Sequence, residues 1–96
     1  MNQYILLIQN NAKTLPQEGE WSDFFGAART SGIFKGGSEV GEREFVGNVK
    51  TAQPTDYIVG YMRFDTDEKS KILDLLKIHP VVLNGGTVEL CEMPKS

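Results

Sequence analysis

The chain has a single cysteine, Cys91, so it has no internal disulfide framework and no cysteine-rich zinc site. One histidine and scattered acids form no recognisable metal-ligand set, and no motif for an organic cofactor is present. Basic residues do not predominate: the formal net charge is −3, and the lysines and arginines form no stripe with interleaved aromatics. Binding to nucleic acid or to an anionic membrane surface is therefore disfavoured, since both need a basic face. No apolar run approaches the ~20 residues that cross a bilayer, and Met1-Asn2-Gln3 lacks the positive start of a signal peptide. A reducing, cytoplasmic setting is the expectation.

The 96 residues suit one domain, 1–96, with a modest core. Gln3 to Gln9 is apolar on both faces and predicts a central strand. Asn10 to Glu18 is polar, contains Pro16 and predicts a loop. Trp21, Phe24, Phe25 and Ala28 share one face of a helix over 19–31, which Gly32 is suited to end. Ile33 to Val40 follows as a second strand, its Gly36-Gly37 pair pointing to a bulge or a close approach by backbone or ligand. Within 41–54, Glu44 to Val49 is a candidate for a short extra strand. Asp56 to Phe64 alternates: Ile58, Met62 and Phe64 face one way, and Tyr57, Val59, Tyr61 and Arg63 the other. Asp65 with Glu68 has the spacing of a capping box for a second helix, which Pro80 bars from continuing past His79. Asn84-Gly85-Gly86 is a turn before a last strand, Thr87 to Cys91.

The order strand–helix–strand–strand–helix–strand predicts an α+β fold of the ferredoxin-like βαββαβ kind. A four-stranded antiparallel sheet would carry both helices on one face. The other face would be left bare, and a second copy of the chain is its simplest cover.

Gly60-Tyr61, a helix, His79-Pro80-Val81 and then Asn84-Gly85-Gly86-Thr87-Val88-Glu89-Leu90 together resemble the YCII-related, DGPF-type family. Tyr4 to Ile8 and Ser31 to Gly37 are similar to it as well, so the resemblance spans most of the chain outside residues 41–55. It implies a dimeric α/β barrel, in which two sheets face each other across a homodimer. The Asp-Gly-Pro-Phe signature is missing: the segment before the third strand reads Thr51-Ala52-Gln53-Pro54-Thr55-Asp56-Tyr57. The Arg-Pro pair common near the family's carboxyl end is replaced by Cys91-Glu92.

His79 is the candidate catalytic residue, the one side chain whose ordinary pKa lies near neutrality, with Glu39 or Asp56 available to orient it. Its alternative is a helix-end histidine that favours the dipole and caps carbonyls. Arg63, Tyr57, Tyr61 and Glu39 are the candidate ligand-binding residues, suited to a small anionic or aromatic molecule in a barrel pocket. Dimer packing is the alternative for that face. Gly36-Gly37-Ser38 lacks the lysine and spacing of a phosphate loop. Ser38 has no nucleophile elbow, and Cys91 has no adjacent base. Three readings follow: a lyase-like enzyme acting through His79, a noncatalytic small-molecule binder, and a module that only assembles with itself.

Overall fold

In a computed structural model, which describes residues 1–95, the chain forms an α+β fold. The elements are β1 (Asn2–Gln9), α1 (Glu20–Ser31), β2 (Phe34–Glu39), β3 (Ile58–Thr66), α2 (Lys69–Leu76), α3 (Pro80–Leu83) and β4 (Val88–Met93). The strands make one open antiparallel sheet of four, in the order β2-β3-β1-β4. Its backbone measures 43 × 38 × 17 Å, a slab with one helical layer. Among the described residues, no helix is long and apolar enough to cross a membrane.

Strand alternation decides which side chains meet the helices. Tyr4, Leu6 and Ile8 of β1 and Met62, Phe64 and Thr66 of β3 are buried on one face. They pack against Phe24 and Ala28 of α1 and Ile72 and Leu76 of α2. Leu6, Phe24, Phe64 and Ile72 are wholly excluded from solvent, each a burial worth about 1.5–3 kcal/mol. The opposite face carries Ile5, Leu7, Tyr61, Cys91 and Met93, all only half-buried, with Arg63 and Glu89 exposed among them.

Several elements differ from their sequence expectations. β3 begins at Ile58 rather than Asp56 and runs to Thr66, because Asp65 still pairs with Gln3 and donates its backbone N–H to Ile33. The Asp65–Glu68 capping box therefore does not form. Thr66 Oγ1 instead accepts the Glu68 N–H at 3.1 Å, and α2 starts without a side-chain cap. Pro80 does end the second helix region, but it also opens α3 as a first-turn proline, whose missing N–H costs nothing there. Glu44 to Val49 forms no strand: all of residues 40–57 are exposed and lack regular structure. Gly32, at φ 75°, ends α1 as expected.

The loop after β1 is tied to the far end of the chain through Asn11, which bonds Thr87, and through the buried side chain of Asn84. Asn84 is buried, and its Nδ2 donates to Glu20 Oε1 at 2.9 Å and to the Pro80 carbonyl at 2.7 Å. Its Oδ1 accepts from the Thr14 hydroxyl at 2.7 Å, and its carbonyl accepts the Lys13 N–H at 2.8 Å. The amide thus clamps the 10–19 loop, the start of α1 and the end of α3. Asn84→Ala should cost about 2–3 kcal/mol, since it strands partners as well as breaking bonds. A urea titration reads this as a lower midpoint with an unchanged slope.

Candidate functional site

A cleft of about 850 Å³ opens between α1 and the β2–β3 edge, on the helical side of the sheet. One wall is a stripe along α1: Trp21, Phe25 and Arg29, four residues apart and so on one helix face. The Trp21 and Phe25 rings stack at 5.6 Å, and the Arg29 guanidinium lies 5.4 Å from the Phe25 ring centre. Phe34, 6.0 Å from Phe25, closes the end where α1 turns into β2. Ile8, Met62 and Val81 extend the apolar lining, while Ser38, Glu39 and Val40 border the opposite end.

Glycines make the floor. Gly36 sits at φ 106°, where other residues are strained, and Gly37 faces Met62 across a register shift in the β2–β3 ladder. A side chain at Gly37 would collide with the Tyr61 carbonyl and lie 2.9 Å from the Met62 Cα. The Gly36-Gly37 pair is thus a strand bulge, one of the two readings the sequence left open. Gly60 lies across from Glu39 and opposite Ile8, so three bare backbone positions widen the cleft.

Helix and strand run in opposite directions here, since α1 ends two residues before β2 begins. The cleft consequently has a polarity. Arg29 and Phe34 stand at one end, and Trp21, Val81, Gly60 and Glu39 at the other. A cation marks one mouth, aromatic and aliphatic surface fills the middle, and Glu39 stands at the far rim.

His79 is wholly buried and does not line the cleft; it stands behind its wall. Its ring makes edge contacts with Phe24 at 4.7 Å and Trp21 at 5.2 Å. It is the N-cap of α3, where Nδ1 accepts the Val81 N–H at 3.2 Å. That bond leaves the proton on Nε2, which is buried without a partner. Burial lowers the His79 pKa to about 4, so the ring is neutral near pH 7. The structure differs from the helix-end expectation: the imidazole accepts from the start of α3 and does not serve carbonyls at the end of α2.

The structure disperses the other sequence candidates. Glu39 and Tyr61 border the cleft. Arg63 is exposed on the open sheet face opposite Ile5, and Tyr57 is exposed just before β3, so neither joins them. Glu39 and Asp56 are exposed, and neither hydrogen-bonds His79. The sequence reads Trp21 and Phe25 as core, since one spacing makes a ligand wall and a core face alike, and sets Arg29 off their face; the structure brings all three onto one wall. Among the described residues, no group of three His, Cys, Asp or Glu side chains is placed to hold a metal ion. No protein-family model and no curated protein matches the chain.

The depressed His79 pKa has a pH consequence. Between about pH 6.5, the unfolded value, and about pH 4, the folded one, the unfolded chain binds the proton and the native chain does not. Stability from this group is complete above that window and is lost as pH falls through it, by about 3 kcal/mol in all. His79→Phe should fold less stably at pH 7 but show a flatter decline from pH 6.5 to 4 in denaturant titrations. Parallel declines in the two proteins would refute the buried neutral histidine.

Proposed function

We propose that the chain is a noncatalytic binder of a small aromatic carboxylate, held in the cleft between α1 and the β2–β3 edge. The observation that carries this is the Trp21–Phe25–Arg29 stripe facing a glycine-floored cleft of about 850 Å³. Cavities of this size, mainly apolar with a few placed polar groups, suit small ligands. The aromatic body lies between Trp21, Phe25 and Met62, where ring stacking and burial are both favourable. The carboxylate meets Arg29, whose planar fork matches it. A donor at the ligand's other end meets Glu39. Binding is favoured over acid–base catalysis because His79 has no exposed surface and no carboxylate partner.

The fold reading accompanying this proposal is ferredoxin-like, which the strand order β2-β3-β1-β4 supports. A YCII-related chain would also pair through its open sheet face into a dimeric α/β barrel. The half-buried Ile5, Leu7, Tyr61, Cys91 and Met93 on that face favour such a homodimer as a second role. Leu7→Lys should then halve the mass in sedimentation at micromolar concentration, and a wild-type monomer would end that reading.

Calorimetry with naphthoate tests the cleft. Naphthoate should bind more tightly than uncharged naphthylmethanol, and Arg29→Ala should erase the difference, a loss of about five- to tenfold from one ionic hydrogen bond. Heat that is indifferent to Arg29, or the absence of binding at millimolar naphthoate, would sink the proposal.

A further inference from the structure

The connection between β2 and β3 is a hairpin loop in position only. Hairpin loops take about 2–5 residues, and structureless loops beyond about 12–15 are usually functional. This one spans residues 40–57. Every residue in it is exposed, including Phe45 at 52%, Val46 at 93% and Val49 at 60%. With Val40 and Tyr57 at its two ends, the loop leaves five large apolar side chains in water, which call for a partner.

The cleft is an apolar surface that borders the roots of that loop. Glu39, Val40 and Val59, the residues from which the loop leaves and to which it returns, themselves border the cleft. The roots are secured: the Val40 N–H donates to the Val59 carbonyl at 3.0 Å, and the Arg43 guanidinium donates to the Ile58 carbonyl. The returning end is held by the Tyr57 carbonyl, which accepts the Asn10 N–H at 2.9 Å, and between Arg43 and Tyr57 the hydrogen bonds are local. Lys50 N–H and the Thr51 hydroxyl turn back on Asn48, next to Gly47 at φ 96°. Phe45 and Val46 therefore sit between a fixed root and a glycine turn. From Val40, five or six extended residues reach roughly 17–20 Å, enough to lie across the cleft.

The side of the cleft also fits. The loop springs from the Glu39 end, which holds Trp21 and Val81, and not from the Arg29 end. A bound aromatic carboxylate would have its charge at Arg29 and its apolar body under the loop.

We infer that Phe45 and Val46 are ligand-covering residues: the 40–57 loop folds over the occupied cleft and closes its apolar end. The inference rests on the small-ligand reading of the cleft. Closure removes both side chains and the exposed face of the ligand from water together. In the empty protein the loop has too little to cover and stays out. Phe45 and Val46 then act on how long the ligand stays, since the Arg29 end remains open for its approach.

The test compares the wild type with the double variant Phe45→Ser/Val46→Ser, using naphthoate. Trp21 is the sole tryptophan, so its fluorescence reports occupancy directly. Stopped-flow displacement should show naphthoate leaving the variant about ten- to a hundredfold faster, from losing two buried apolar side chains, with association changed little. Arg43 and Lys50 also make the loop a trypsin substrate. Naphthoate should slow cleavage within 40–57 severalfold in the wild type and leave cleavage of the variant unchanged. Equal dissociation rates with cleavage unaffected by naphthoate would overturn the lid while leaving the cleft intact as a site. Absence of any naphthoate effect on Trp21 in the wild type would remove the small-ligand reading and the lid with it. Protection of the loop that rises with protein concentration, without naphthoate, would assign it to a second copy of the chain and overturn the lid.

Discussion

The edge contact between the Phe24 ring and the His79 imidazole, 4.7 Å apart, is the joint on which the helical layer turns. Phe24 belongs to α1 and is buried against the sheet. His79 lies between α2 and α3 and is equally buried. Burial favours the neutral imidazole there, because an ionised ring would be held in apolar surroundings with no counter-charge. Its one hydrogen bond starts α3, and its faces and edges are taken by aromatic rings. Trp21, the first ring of the cleft wall, stands directly on this joint. Removing the imidazole would therefore disturb the cleft without His79 ever touching a ligand.

The cleft is a consequence of what β2 leaves out. A helix packed on a sheet normally meets side chains from every strand beneath it. β2 offers Phe34 toward that layer and then two glycines, with Gly60 beside them on β3. The gap between α1 and the sheet edge lies over these bare positions. Gly37 cannot be replaced cheaply, because the β3 backbone already occupies the position of its Cβ. The bulge and the cleft share one cause, the close approach of two backbones.

The two faces of the sheet divide the molecule's polar chemistry. Arg63 and Glu89 lie on the open face with Cys91, away from the helices. Arg29 and Glu39 belong to the cleft. Alternation along β3 is responsible: Arg63 faces opposite to Met62 and Phe64, so it is separated from the cleft by the thickness of the sheet. Tyr61 shares Arg63's face and also borders the cleft.

Local pattern by itself determined much of this protein. The apolar run of β1, the helical spacing of Trp21, Phe24, Phe25 and Ala28, the Gly32 stop and the alternation of β3 are short-range properties, and each element stands close to where those patterns place it. The glycine pair likewise marked a bulge. Ends decided by competition between neighbours were not legible: Asp65 is a good cap in isolation, yet pairing with Gln3 keeps it in the strand. Nor was the third helix, since Pro80 both stops one helix and starts another. The site was decided by tertiary structure alone. A Trp–Phe–Arg stripe at helical spacing reads as core unless the strand beneath lacks side chains, and that depends on which strand lies under which helix. His79 shows the same limit: its sequence neighbours suggest a helix end near water, while long-range packing with Phe24 and Trp21 makes it a buried, neutral support.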